Sequence, residues 1–564
     1  MHDNHVDAAF TAAVQAALTG QVKAILNEGD SWGHLQHREL AERILALVAY
    51  GRDGRLLDHA ARLAARLREL QGPGGLFTGG DNVDSPPDSA FSVNDLADAL
   101  WLLRRGPHGA AEHGLADLLD DLLATAAPAL SRGGVHTPNH RWEISAALAR
   151  LHRLAPHPAL AERVGQWLAE GVDIDDDGLY SERSANYAAY VSNPSLLAIA
   201  DVFDRPDLVD AVERNLDATL DLLLPDGSVE TVLSRRQDQR QPLPLAPYLL
   251  PLRRIALLRG RGDLAWAAGL ALSQGVVSPA RAATELLLDP GIARELPEPV
   301  PPRRPRQRVF GAAGLLVDHR PATTTVVFGG SDYPRHRRIR SGLANSPTFL
   351  RLFAGAAVLG DVRLSRVFFG LGPFRADRLL VEREQGSTTA TLAESVSASY
   401  YQPMTDQNRD ARGHYRLVDD GRFSAAMDFA RRARDEVTLT TAVHVAITDT
   451  GTELTVDLAG AAVDWALELA FRPGGRMTGA MPLDEHAWQL DPGEPAVYRV
   501  GDDSITVTVP AMSMAASHSV PGYEPGEEYR FLGGTDAVSG ERLYVAGRVP
   551  GRLRLRLAAT HHSG

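Results

Sequence analysis

The residues with the most chemistry to offer gather in a few short stretches. Gly133-Gly134-Val135-His136-Thr137-Pro138-Asn139-His140-Arg141-Trp142-Glu143 runs from a Gly and Pro loop directly into an apolar periodic segment. Asn139 suits a helix N-cap, which explains the Asn but not the two imidazoles, the guanidinium and the indole crowded beside it. Amides and imidazoles together supply hydrogen-bond donors for an anion and groups that exchange protons near neutral pH. A second stretch, Asp175-Asp176-Asp177-Gly178-Leu179-Tyr180-Ser181-Glu182-Arg183-Ser184-Ala185-Asn186-Tyr187-Ala188-Ala189-Tyr190, joins an acidic loop to two phenols at helical spacing. The acidic loop lacks the full calcium-loop spacing, so no metal is expected there. Tyr187 and Tyr190 suit either the core or a site. Arg235, Arg236 and Gln239, in Ser234-Arg235-Arg236-Gln237-Asp238-Gln239-Arg240, offer planar guanidinium forks matched to carboxylates. Tyr333-Pro334-Arg335-His336-Arg337-Arg338, with Arg340 beyond it, is a basic loop that presents His336.

The elements that must hold these residues fall into two halves. From Val6 to about Glu295 the chain is rich in Ala and Leu at helical spacing. Helices are expected over 41–48, 56–70, 94–105, 115–130, 141–154, 159–170, 187–203, 208–224, 245–259 and 264–274. Gly72-Pro73-Gly74-Gly75, Pro225-Asp226-Gly227 and Gly260-Arg261-Gly262 separate them. Consecutive helices without a fixed repeat suggest hairpins stacked as a solenoid or closed as a toroid. Leu296 to Pro305 carries five prolines and cannot continue a helix. Beyond it, β-branched runs of period two at 323–328, 436–443, 453–458, 504–509 and 552–557 suggest an antiparallel sandwich. His518-Ser519-Val520-Pro521-Gly522-Tyr523 is expected to be a turn of that sandwich. The expected division is a helical toroid over 1–295, a Pro/Arg-rich linker over 296–308 and a β-sandwich over 309–564.

A chain of 564 residues exceeds what one core serves, and 44% hydrophobic with 23% charged residues is an ordinary globular balance. The net charge of -13 argues against a nucleic-acid partner, which requires a basic face. An anionic ligand must instead be held by selected groups in a cleft. There is no cysteine, so disulfides and thiolate metal sites are excluded. No secretory signal and no apolar run long enough for a membrane span are visible, so a cytoplasmic protein without a membrane partner is expected.

These clusters and halves resemble the heparinase II/III and alginate lyase superfamily, whose members join an α/α toroid to an antiparallel β-sandwich. Asn139-His140 match its Asn or Asn-His pair at a toroid helix start. Asp177-Gly178, Glu182, Ser184 and Tyr187 match the segment that follows it. One departure stands out: the family commonly opens its sandwich with Gly-His-x-His-x-Asp, whereas Ile339 to Phe353 here holds neither His nor Asp. A family-type metal site is therefore not expected, nor any cofactor.

The resemblance implies β-elimination at a uronic acid: loss of the C5 proton, cleavage of the bond to the C4 oxygen, and an unsaturated product. Asn139 and His140, with Arg235 or Arg236, suit neutralisation of the substrate carboxylate. Tyr187 suits the acid, and the base too in a syn elimination, given a nearby cation; His140 or His336 suits the base in an anti one. Trp142, Tyr190, Gln239 and Arg340 are further expected substrate contacts. The expected partner is a uronic-acid-containing oligo- or polysaccharide, an oligosaccharide attacked from its end being the reading that fits an internal enzyme. Two alternatives carry different signatures. A glycoside hydrolase on a helical toroid would use two carboxylates from Asp88, Asp95, Glu143, Asp177 and Glu182. A non-catalytic saccharide-binding protein would not need Asn139, His140 and Tyr187 to converge.

Overall fold

The computed structural model describes residues 5–29, 31–51, 53–105, 109–303, 306–384, 386–490, 493–510, 523 and 538–561. Two compact units emerge. One comprises residues 1–223, 227–229 and 243–302; the other comprises 224–226, 230–242 and 303–564.

The first unit is an α/α toroid. Its helices are α1 (Ala8–Asn27), α2 (His37–Tyr50), α3 (Gly54–Leu70), α4 (Pro86–Arg105), α5 (Ala110–Arg132), α6 (Pro138–Leu154), α7 (Pro158–Ala169), α8 (Ala185–Tyr187), α9 (Asn193–Phe203), α10 (Pro206–Asp221), α11 (Leu249–Arg259), α12 (Gly262–Ser273) and α13 (Pro279–Leu288). Helix α2 packs between α13 and α4, α4 packs on α6, and α6 on α9, while α3, α5, α7, α10 and α12 back them as hairpin partners. The inner set α2, α4, α6, α9, α11 and α13 surrounds a cavity of about 110 Å³. Arg253 latches the two ends of the unit. Its buried guanidinium donates to the carbonyls of Ile292 (2.6 Å) and Arg294 and to the Asp7 carboxylate (2.7 Å), and it lies 4.0 Å from the centre of the Phe10 ring.

Two elements differ instructively from the sequence expectation. The helix expected over 187–203 begins at Ala185, where the Ser184 hydroxyl accepts from the Tyr187 N–H, and it passes through a π turn at Ala188–Ser192. Pro194 explains that turn: it has no N–H to give, and its ring crowds the carbonyl four residues back, so the backbone widens there. Helix α13 was not among the expected helices, although Ser278-Pro279 is a start signal.

The second unit is an antiparallel β-sandwich. Its nine-stranded sheet runs, in spatial order, Met481–Asp484, Ala487–Gln489, Arg542–Arg548, Asp464–Phe471, Ala357–Arg366, Leu350–Ala354, Thr324–Phe328, Leu315–His319 and Arg306–Phe310. The eight-stranded sheet runs Arg476–Thr478, Ala496–Val500, Asp503–Thr508, Gly551–Thr560, Gly451–Gly460, Arg434–Thr448, Ser387–Tyr401 and Leu379–Glu384. All pairings are antiparallel except Ala487–Gln489 against Arg542–Arg548. Leu392, Val396, Leu439, Val443, Leu454 and Val456 alternate along the eight-stranded sheet and bury against Leu352, Leu364, Leu467 and Leu469 of the other.

The boundary is less simple than a linker. Strand Arg306–Phe310 starts inside the expected 296–308 segment. Val300 donates to the Gly262 carbonyl (2.9 Å), so the proline-rich run is pinned to the helical unit. Residues 230–242, within the helical half by sequence, belong to the sandwich unit. Three contacts strap them there: Glu230 to Arg351 (2.6 Å), Arg235 to Asp332 (2.9 and 3.1 Å), and the Gln239 amide oxygen to the Asn345 N–H (2.9 Å). The turn expected at His518–Gly522 lies outside the described residues.

Candidate active site

In the helical unit, inner helices deliver their first turns to the residues singled out by sequence. Helix α6 starts at Pro138 and presents Asn139 and His140; the neighbouring α8 and its π turn present Tyr187 and Tyr190. Thr137 donates to the Asn139 Oδ1 (2.7 Å), leaving the Asn139 Nδ2 buried without a partner among the described residues. A buried donor left unpaired costs about 1–3 kcal/mol, a cost that a ligand oxygen would offset by accepting from it. The His140 ring sits edge-on to His136, centroids 4.7 Å apart. Tyr187 is half-buried. Tyr190 lines the axial cavity, where burial raises its phenol above the ordinary range while the cation of Arg281 opposes the rise.

Two arginines that sequence reasoning passed over complete this cluster. Arg38, in the first turn of α2, acts electrostatically on Tyr187, Glu143 and Arg281; it pairs with Asp88 and lies 3.8 Å from the Phe91 ring centre. Arg281, near the start of α13, reaches Asp95 (3.1 and 3.4 Å). Cations are disfavoured at helix N-termini, so an arginine within the first turns of an inner helix was the available signal.

Three of the acids considered for hydrolysis, Asp88, Asp95 and Glu143, hold partners within the helical unit. Asp88 and Asp95 each hold an arginine. The Glu143 carboxyl takes hydrogen bonds from Asn94 (2.7 Å) and Ser195 (3.2 Å), and burial pushes its pKa up. In the acidic loop, the Asp175 Oδ1 accepts from the N–H groups of Asp177 (3.0 Å) and Leu179 (2.8 Å), closing a turn at Gly178, whose φ is 85°. Glu182 is buried.

Several expected substrate contacts have structural work instead. Trp142 is fully buried and donates its indole N–H to Asp173 (3.0 Å), so it offers no face to a sugar. Gln239, 1% exposed, donates to the carbonyls of Arg236 (3.1 Å) and Leu343 (3.2 Å). The guanidinium fork of Arg235 is closed on Asp332. Arg236 is half-buried next to these residues, while Arg340 and His336 are exposed. All five belong to the sandwich unit, His336 as the last residue of the short helix α14 (Tyr333–His336).

Over most of its length the chain superposes on two solved lyases. Against a heparan sulfate lyase HepC mutant from Pedobacter heparinus the TM-score is 0.54 at 11% identity, covering 94% of this chain and 76% of that one. Against chondroitin AC lyase of Streptomyces coelicolor A3, solved with chondroitin sulphate, it is 0.53 at 14% identity, covering 93% and 74%. The fold is that of these polysaccharide lyases. No family model and no curated protein sequence matches the chain. Identities this low carry the lyase fold and leave the activity to the residues themselves. Among the described residues no group of three His, Asp or Glu side chains stands close enough to hold a metal ion, and no helix is long and apolar enough to cross a membrane.

One further histidine is buried next to Arg38. His37, at the start of α2, is 1% exposed, bonds Ser92 through Nδ1 (2.8 Å) and stacks on Phe77. A Cβ on Gly79 would fall 2.4 Å from the Asp88 Oδ2 and 3.0 Å from the His37 Nε2, so this loop closes tightly over both side chains. Burial lowers the His37 pKa from 6.5 to about 4. The unfolded chain then binds a proton between these values that the folded chain refuses, so stability falls as pH drops through that window, by about 3 kcal/mol for the full shift. The expected result is a steeper loss of melting temperature from pH 7 to pH 4.5 in the wild type than in His37→Gln. Parallel pH curves for the two proteins would contradict it.

Proposed function

We propose that the chain is a polysaccharide lyase that cleaves a uronic-acid-containing glycan by β-elimination, with Tyr187 and Asn139 at its centre. The observation that carries this reading is the cluster on adjacent inner helices: a half-buried phenol, a guanidinium in electrostatic reach of it, and an amide donor without a partner among the described residues. The lyase fold supports it.

The C5 proton is removed, its electron pair forms the C4–C5 double bond, the bond to the C4 oxygen breaks, and that oxygen leaves with a proton. The C5 proton becomes acidic enough only when the adjacent carboxylate is held by donors placed where charge develops. The unspent Asn139 Nδ2 and His140 suit that task. Tyr187 gives the proton to the leaving oxygen, and the Arg38 cation is suited to hold the charge that appears on the phenol oxygen. In a syn elimination the same phenolate has first taken the C5 proton; in an anti one His140 takes it. Exo action on short oligosaccharides is the mode we favour, and product sizing separates it from internal cleavage.

Asn139→Ala tests the carboxylate role. Loss of one donor to developing charge costs about a hundred- to a thousandfold in kcat. The expected result is a fall of that order in kcat with KM within a few-fold, measured as release of products one water lighter than hydrolysis would give. Unchanged kcat would remove Asn139 from the reaction.

A further inference from the structure

We propose that the sandwich unit carries a binding site for a polyanionic glycan, formed by exposed aromatic rings and arginines around Phe369, Tyr400, Arg422 and Arg337. Several surface arginines of this protein sit on a carboxylate, as Arg205 does on Asp207 and Arg259 on Asp210 and Glu213. Arg335, Arg337, Arg338 and Arg340 do not: among the described residues no carboxylate lies within ion-pair distance of any of them, while the Arg422 cation has Asp420 in electrostatic reach.

The rings lie against these cations. The Arg422 guanidinium is 5.2 Å from the Phe369 ring centre and 4.6 Å from that of Phe423. Phe369 and Tyr400 are 5.9 Å apart, centre to centre. Phe369, Phe423 and Tyr400 are 39%, 44% and 57% exposed, an unusual outlay of aromatic surface. A Cβ on Gly421 would lie 3.8 Å from the Arg337 Cγ, which brings Arg337 to the same surface.

The backbone fixes this arrangement at a cost. Phe369 is held at φ 53°, a left-handed conformation that bulky residues avoid and that costs about 1–3 kcal/mol. The Asp420 Oδ1 accepts from the N–H groups of Arg422 (2.9 Å) and Phe423 (3.0 Å), setting the tip of the hairpin between Leu417–Asp419 and Ser424–Ala426. Asp420 is held in turn by the Tyr401 hydroxyl (3.1 Å).

Sugar rings offer C–H faces to aromatic rings, and their carboxylates or sulfates take guanidinium forks. Single-stranded nucleic acid is read with similar parts, but the overall charge opposes it. The choice of a glycan among polyanions rests on the lyase reading.

The test uses the full chain bearing Tyr187→Phe, so that no polymer is consumed, and measures affinity calorimetrically at fixed ionic strength. The probes are polygalacturonate (carboxylates only), dextran sulfate (sulfates only), uncharged dextran and single-stranded DNA. The expected result is binding of at least one of the two anionic polysaccharides and none of dextran. Arg422→Gln and Phe369→Ser should each weaken that binding by about tenfold, the scale of one charge-assisted contact, with melting temperature unchanged. Two variants guard against a folding defect in either. Equal affinity in both variants, no binding of either polysaccharide, or tighter binding of DNA would overturn the proposal. If the elimination reading fails while the variants still weaken binding, the site stands without it.

Discussion

Tyr187→Phe is expected to lower the elimination rate by three orders of magnitude or more while leaving the melting temperature where it was. The Tyr187 phenol is the group placed to protonate the leaving oxygen in this reading, and proton transfer by a placed side chain contributes about 10²–10⁴-fold. Removing the hydroxyl also removes the oxygen on which the Arg38 cation acts. The ring, the Ser184 cap on its N–H and the π turn behind it all survive the substitution. The distinguishing measurement is kcat and melting temperature on one preparation. Loss of rate with loss of fold would say nothing of chemistry; retained rate would exclude the phenol.

Arg351→Met is expected to cost stability on a comparable scale. Arg351 and Glu230 are 3% and 0% exposed at their side chains, and the Glu230 Oε1 takes bonds from Arg351 (2.6 Å) and from the N–H groups of Thr231 and Val232 (2.8 Å each). Breaking such a pair from one side leaves a buried carboxylate uncompensated, at a cost of about 3–5 kcal/mol. In a unit of this size that is a fall in melting temperature on the order of 10 °C. Because Glu230 begins the strap over 230–242, proteolysis of Arg351→Met should cut within that strap first. The double variant Arg351→Met/Glu230→Gln should recover much of the loss, since no charge is then left buried. A melting temperature within a degree or two of wild type in the single variant would contradict the account.

Much of this fold was legible in the sequence, for reasons that differ between its halves. Periodicity alone marks ten of the helices, because each buries one stripe against a neighbour. The runs 436–443 and 453–458 mark the strands Arg434–Thr448 and Gly451–Gly460, which alternate between core and surface. The strap over 230–242 was not legible, because its attachment depends on partners at 332, 345 and 351 that are remote in sequence. The same holds for the site. Asn139, His140 and Tyr187 stand in motifs, and the structure sets them on packed neighbouring helices. Arg38 and Arg281 come from the first and last inner helices, which meet only when the toroid closes. Trp142 and Gln239 misled for the opposite reason: side chains suited to binding sugars are equally suited to closing a core when a buried acceptor such as Asp173 or a carbonyl such as that of Leu343 is at hand.

The central claim is the bond chemistry, and elimination leaves a conjugated double bond that hydrolysis cannot make. The most direct measurement is ultraviolet absorbance of that chromophore alongside a reducing-end assay, with the wild-type chain and a panel of uronic-acid oligosaccharides. The account predicts absorbance rising in step with new reducing ends on at least one substrate; reducing ends without absorbance would contradict it.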